Sequence, residues 1–93
     1  GPDTAAPTLR GATIPATTPT SLITVTIDAL DDRAVTHLRM ATDNGDDWTA
    51  WTAFAPTAQF TLRAGVGFRG VYVQVRDAAG NESVILYRTT RVG

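Results

Sequence analysis

Hydrophobic and polar residues alternate with a period of two along most of the chain. The clearest hydrophobic runs are Ile23, Val25 and Ile27; Ala58, Phe60 and Leu62; and Val71, Val73 and Val75. A period of two places the apolar set on one face of a pleated strand and the polar set on the other. No stretch of ten residues shows the i, i+3, i+4, i+7 spacing of an amphipathic helix. The pattern predicts an all-β domain.

Turn-forming residues separate these runs at short intervals. Segments 15–19, 31–33, 43–46, 63–67 and 77–81 are rich in Pro, Gly, Asp, Asn or Thr and are interpreted as connections between strands. The predicted strands are Thr8–Ile14, Leu22–Ala29, Val35–Ala41, Trp48–Phe54, one containing Phe60, one around Val71, and Val84–Arg88. About seven short, mostly antiparallel strands predict a β-sandwich.

The length of 93 residues fits one domain, which we place at residues 8–93. Gly1-Pro2 is typical of a protease-cleavage scar, so residues 1–7 are interpreted as an expression scar and a linker. The net charge of −1 argues against nucleic-acid binding. No apolar run approaches the ~20 residues of a membrane span, so we expect no membrane insertion. We expect a monomer in isolation.

The residue types exclude several chemistries. The chain has no Cys and no Lys, which excludes disulfides, thiolate nucleophiles, Schiff bases and lysine–asparagine crosslinks. His37 is the single histidine, and Ser21 and Ser83 are the two serines; neither serine lies in a nucleophile elbow. We therefore predict a non-enzymatic chain with no catalytic residue, no metal ligand and no cofactor. His37 is expected to be a solvated residue beside Arg39.

Charged side chains cluster in the turns and late strands. Asp43, Asn44, Asp46 and Asp47 offer oxygens that could bind calcium, but their spacing does not follow the EF-hand pattern. Surface solubility and turn hydrogen bonding are the favoured interpretation of this cluster and of Asp28, Asp31 and Asp32. Four arginines on the late strands are expected to pair with aspartates: Arg69, Arg76, Arg88 and Arg91.

Two tryptophans lie near the 43–46 turn. A spacing of three residues in a regular strand would put Trp48 and Trp51 on opposite faces. One ring would then be buried in the core, while the other would be partly exposed alongside Tyr72 or Tyr87. An exposed Trp or Tyr offers a flat platform on which a sugar ring can stack. Trp48, Trp51 and Tyr72 are thus the candidate glycan-binding residues; the favoured alternative is that both tryptophans close the core.

One long motif resembles a known family. Residues 70–83, with the sequence GVYVQVRDAAGNES, resemble the penultimate strand, turn and last strand of bacterial immunoglobulin-like domains, which are related in architecture to fibronectin type III. Residues 3–7 resemble the linker that opens such modules, and residues 38–51 resemble their central hairpin. Tyr72 departs from the fibronectin pattern, because its alternation with Val71 and Val73 turns it away from them. The resemblance implies an antiparallel immunoglobulin-like sandwich in a large secreted or cell-surface protein.

These observations predict an accessory module without catalysis. The first hypothesis is a spacer or interaction domain of a multidomain extracellular bacterial protein, whose partners are the neighbouring domains of the parent chain. The second is a carbohydrate-binding module that uses exposed Trp and Tyr faces on cell-surface or polysaccharide glycans. The third is a protein–protein adhesion domain that adds a partner strand to an exposed sheet edge.

Overall fold

A computed structural model describes residues 6–30 and 35–93, and this part of the chain consists of strands and connections without a helix. The all-β prediction is confirmed, with eight strands rather than about seven. They are β1 (Thr8–Thr13), β2 (Thr17–Thr18), β3 (Leu22–Leu30), β4 (Val35–Thr42), β5 (Thr52–Ala53), β6 (Thr57–Thr61), β7 (Gly67–Asp77) and β8 (Leu86–Val92).

The strands form two sheets. The smaller sheet has the order β1-β3-β6, and the larger has the order β2-β8-β7-β4-β5. All pairings are antiparallel except that of β2 with β8, which is parallel. The predicted β-sandwich is therefore confirmed.

The core lies between the sheets and is built by the residues that the alternation predicted. In β3, Ile23, Val25 and Ile27 are buried, and in β7, Val71 and Val73 are fully buried. The intervening residues of β3 are exposed. The remaining buried hydrophobic residues of the cluster are Leu9, Ala12, Leu38, Met40, Phe60, Leu62, Val75 and Val92. Burial of these aliphatic side chains is the main stabilising contribution to the sandwich.

The first strand contains an irregularity that explains its burial pattern. Leu9 and Ala12 are both buried although they are three positions apart. The register of β1 against β3 shifts between Leu9 and Gly11. A β-bulge inserts one extra residue and so returns the next side chains to the same face. The bulge thereby lets both residues face the core.

The predicted strand Trp48–Phe54 is wrong in most of its length. Only Thr52 and Ala53 form a strand, which pairs with β4. The Thr49 amide donates to the Met40 carbonyl at 2.8 Å, but the Met40 amide donates to the Thr49 hydroxyl rather than to a carbonyl. Because a side chain replaces a main-chain acceptor, the ladder is interrupted between the two tryptophans.

The last predicted strand is shifted along the sequence. Val84–Arg88 was expected, and the strand runs from Leu86 to Val92. The Ser83 hydroxyl accepts from the Val75 amide and donates to the Val84 carbonyl, so a side chain takes over ladder positions before Leu86. The segment 15–19, predicted as a connection between strands, contains the two-residue strand β2.

The turn that follows β7 matches the motif that carried the family resemblance. Asp77 Oδ1 accepts from the amides of Ala79 and Asn81 at 3.0 and 2.9 Å, and Gly80 has a φ of 89°. A positive φ is readily adopted by glycine. Asp77 thus accepts main-chain hydrogen bonds across the turn. Residues 1–5 of the predicted scar and linker (1–7) and the predicted turn at 31–33 lie outside the described residues.

Candidate functional site on the outer face of the larger sheet

All Trp and Tyr side chains of the protein lie on the outer face of the larger sheet. The sequence contains two Trp and two Tyr residues. Tyr72 and Tyr87 are directly opposite each other on β7 and β8, and their ring centroids are 4.5 Å apart. The Trp48 ring lies 6.3 Å from that of Tyr72. These spacings fall in the range of favourable aromatic pairs.

Arg39 of β4 joins the two tryptophans. Its guanidinium carbon lies 4.5 Å from the centroid of the Trp48 ring and 4.6 Å from that of Trp51. A guanidinium within about 6 Å of an indole centroid makes a favourable cation–π interaction. Both tryptophans therefore contact one side chain on the outer face.

The Arg39 guanidinium is held in place by a hydrogen-bonded chain. Its Nε and Nη2 donate to the Gln74 side-chain oxygen at 3.0 and 2.7 Å. The Gln74 amide nitrogen donates in turn to the Ser83 carbonyl at 2.8 Å. Gln74 is only 6% exposed, and it lies directly opposite Arg39 across the β4–β7 pair. A buried amide with both ends bonded fixes the orientation of the arginine.

Arg76 is a second arginine in contact with Trp51. Its guanidinium carbon lies 4.7 Å from the Trp51 centroid. His37 is the cross-strand partner of Arg76 and is half-buried. The His37 Nδ1 is 2.9 Å from the Thr36 hydroxyl. We name the six side chains of this face the aromatic–arginine stack: Arg76, Trp51, Arg39, Trp48, Tyr72 and Tyr87.

Two glycines make room at the tyrosine end of the aromatic–arginine stack. A side chain on Gly70 would collide with the phenol of Tyr87, so that ring lies directly over the Gly70 backbone. Gly45, in the preceding turn, lies under the Tyr72 ring and has a φ of 80°. The turn therefore needs glycine for its backbone conformation.

In the acidic turn 43–47 beside the stack, Asp43 and Asp47 accept hydrogen bonds from other groups of the protein. Asp47 accepts from the Thr42 amide and hydroxyl at 2.9 and 2.6 Å. Asp43 accepts from Arg63 Nε at 2.8 Å, and this hydrogen bond is the main cause that lowers the pKa of Asp43. Burial is the main cause that raises the pKa of Tyr87. Within residues 6–30 and 35–93, no three His, Asp or Glu side chains form a group that could hold a metal ion.

The prediction that Trp48 and Trp51 lie on opposite faces is wrong. Both are half-buried on the outer face around Arg39, and neither belongs to the core cluster. The alternative that both close the core is wrong for the same reason. The interruption of the ladder at Thr49 is the physical cause, because strand alternation does not hold across it.

The other candidate side chains are placed as follows. Tyr72 points away from the buried Val71 and Val73, as expected. The Ser83 hydroxyl bonds to main-chain groups, and no hydrogen bond in the described part of the chain joins His37 to a serine.

The expectation that the late arginines pair with aspartates is wrong in the described residues. The two ion pairs found there are Arg10–Asp28 and Arg63–Asp43. Arg69 and Arg88 donate to main-chain carbonyls instead.

Sequence analysis did not assign Arg76 or Tyr87 to the site, and it missed both Arg39 and its hydrogen-bond partner Gln74. Both follow the period-two alternation as polar residues between buried neighbours, and such positions are ordinarily solvated. Arg39 and Gln74 are neighbours because of the register between β4 and β7, and their contact can be predicted only when that register is known.

Comparison with known proteins bears on the fold. No family model matches the chain, and no curated protein matches it. Among solved structures, the chain is similar to the PKD domain of an M14-like peptidase from Thermoplasmatales archaeon SCGC AB-540-F20, with a TM-score of 0.68 and 15% sequence identity. The match covers 95% of this chain and 96% of that chain. The likeness supports an immunoglobulin-like domain over nearly the whole sequence.

Proposed function

We propose that the chain is a non-catalytic spacer module of a multidomain extracellular protein, of the bacterial immunoglobulin-like kind. The observation that carries this proposal is the placement of the first and last long strands. The first strand begins at one end of the sandwich, and the last strand finishes at the opposite end.

The strand register defines the two ends. Thr8, at the start of β1, pairs with Leu30 at the end of β3. Val92, at the end of β8, pairs with Gly67 at the start of β7. The eleven residues of β7 connect the two ends, since Asp77 pairs with Val35. At about 3.3 Å per residue, flanking domains would be held about 35 Å apart.

Further observations agree with this role. The similar PKD domain is part of a peptidase, and by analogy this chain would accompany a separate functional domain. The core of packed aliphatic side chains resists bending, which a spacer requires. The described residues include no helix long and apolar enough to cross a membrane.

The spacer role is tested by measuring distances between two reporter domains. A small dye-labelled domain is fused to each end, and single-molecule energy transfer gives the distribution of their separation. We expect a narrow distribution, because the sandwich is rigid. A flexible Gly/Ser segment of equal length is the control and should give a broad distribution. A distribution for the sandwich as broad as that of the control would refute the proposal.

Glycan binding is the second candidate function. It is favoured by one observation, that all four Trp and Tyr side chains are on one face of the larger sheet. Amphipathic rings with a polar tip suit contacts with sugars. Trp48, Trp51 and Tyr72 remain the candidate residues, joined by Tyr87. The test is titration with soluble polysaccharide fragments while the two indole N–H signals are followed by NMR.

A further inference from the structure

We propose that the aromatic–arginine stack selects acidic polysaccharides, with Arg39 and Arg76 contacting uronate carboxylates. This inference rests on the second candidate function, glycan binding, and names its ligand class. It is independent of the spacer role.

The first step of the argument is that both arginines lack an acidic partner in the described part of the chain. The ion pairs found there involve Arg10 and Arg63. Glu82 pairs with Arg76 through an isolated main-chain bridge but makes no ion pair with it. The positive charges of Arg39 and Arg76 are thus available to an anion from outside.

The second step is that Arg39 is oriented before any ligand arrives. Nε and Nη2 share the Gln74 oxygen, which leaves Nη1 without a protein acceptor among the described residues. Trp48 and Trp51 confine the plane of the guanidinium. A side chain that is already ordered loses less entropy on binding, so its contact with a ligand is stronger. A guanidinium also matches the fork of a carboxylate geometrically.

The third step is the alternation of cations and rings across the sheet. Arg39 and Arg76 both lie within 4.7 Å of the Trp51 centroid, so their charges are at most about 9 Å apart. Acidic polysaccharides likewise alternate carboxylates with the apolar faces of their sugar rings. A peptide would bind less well here, because peptides gain most from main-chain pairing at a sheet edge, and this is a sheet face.

The experiment uses the intact chain and three soluble polymers. They are polygalacturonate, the same polymer with its carboxylates methyl-esterified, and polyglutamate. Affinity is measured by calorimetry, and the indole N–H signals of Trp48 and Trp51 report the location. We expect saturable binding of polygalacturonate, with at least about tenfold weaker binding of the esterified polymer and of polyglutamate.

Two variants with the same change in charge locate the site. Arg39→Met keeps the length and apolar stem of the side chain, and we expect it to weaken polygalacturonate binding about tenfold. Arg10→Met is the matched control on the smaller sheet, and its affinity should stay within about twofold of the parent. Unchanged main-chain amide NMR signals on the smaller sheet verify that the Arg39 variant is folded. Arg76→Met provides an independent second test.

Each contrary result has a distinct meaning. Equal affinity for the esterified polymer overturns the acidic selectivity but keeps glycan binding. Equal affinity for polyglutamate and polygalacturonate overturns the selection of a sugar, because binding then depends on the negative charge of the polymer alone. Equal losses in Arg39→Met and Arg10→Met overturn the location. An absence of binding to all three polymers overturns this inference, and titration with other soluble polysaccharide fragments then decides the second candidate function separately.

Discussion

The two faces of β7 differ in how their side chains are fixed. On the inner face, Val71, Val73 and Val75 are each fully buried and are fixed by packing alone. On the outer face, Gln74 and Arg76 alternate with them, and their positions depend on specific partners: the Ser83 carbonyl for Gln74 and the Trp51 ring for Arg76. Packing tolerates exchange among aliphatic side chains of similar volume, whereas the outer contacts require particular residue types.

This difference predicts unequal effects of substitution on stability. The inner face supplies the free energy of folding because it removes apolar surface from water. The outer face keeps its arginines near solvent, where cation–π contacts contribute about 0.5–1 kcal/mol. Substitutions on the inner face should therefore destabilise the protein more than substitutions on the outer face.

Leu38→Ala should have the largest effect. Leu38 is 2% exposed and lies on the inner face of β4, next in sequence to Arg39. Its truncation leaves a cavity and should lower the free energy of unfolding by about 2–5 kcal/mol. Chemical denaturation measures the change. Leu22→Ala is the control, because Leu22 is 51% exposed. Similar losses in both variants would contradict the assignment of Leu38 to the core.

Gly70→Ala should be the most damaging change on the outer face. The new methyl group would occupy the space of the Tyr87 phenol, so the ring must leave its place beside Tyr72. We expect a loss of about 1–3 kcal/mol and a weaker near-ultraviolet circular dichroism signal from the tyrosines. Gly11→Ala has no such neighbour and is the control. An intact tyrosine signal in Gly70→Ala would show that Tyr87 does not need this space.

Thr90→Val should stabilise the protein. Thr90 is 1% exposed, and its hydroxyl has no hydrogen-bond partner in the described structure. Replacement by the isosteric valine removes the cost of that buried hydroxyl, and we expect a gain of about 1 kcal/mol. Thermal and chemical denaturation give the size and sign. Thr89→Val, at the neighbouring exposed position, should leave stability nearly unchanged. A loss of stability in Thr90→Val would mean that the hydroxyl has a partner after all.

Asp43→Asn should have the smallest effect, and one that depends on pH. The Arg63 hydrogen bond lowers the pKa of Asp43 in the folded protein. A carboxylate whose pKa is lower in the folded than in the unfolded protein stabilises the folded state at pH values above its unfolded pKa of about 3.9. This contribution is lost as pH falls through the pKa of the folded protein.

The parent should therefore exceed Asp43→Asn in stability at pH 7, and the two should converge as pH falls through the lowered pKa of Asp43 in the folded protein. Denaturation curves across this range provide the measurement. Asp46→Asn is the control, because Asp46 is exposed and has no ion pair within the described part of the chain. A difference between parent and Asp43→Asn that stays constant with pH would rule out the Arg63 contact as its source.

The inner face could be predicted from the sequence and the outer face could not. Period-two alternation identifies Ile23, Val25 and Ile27 as buried, since burial depends mainly on the position of a residue in its own strand. The contact of Arg39 with Gln74 depends on the pairing of β4 with β7, which are 35 residues apart at this point. Local patterns carry no information on that register.

The tryptophans show a second case in which period-two alternation does not predict the face that a side chain occupies. Their spacing of three would place them on opposite faces only if the strand were regular. The Thr49 hydroxyl accepts from the Met40 amide and breaks that regularity, and a threonine in a strand is otherwise unremarkable in sequence. The candidate residues Trp48, Trp51 and Tyr72 lie together on one face of the larger sheet, and their role in glycan binding stays a prediction.

The opposite placement of the first and last strands also has a mechanical consequence. Tension applied through the two ends of the chain would run parallel to the strands. The parallel pair of β2 and β8 and the antiparallel pair of β1 and β3 would then be loaded in shear. Their hydrogen bonds lie across the direction of pull, so they share the force and must break together rather than one after another. These two strand pairs would therefore resist tension applied along the strands.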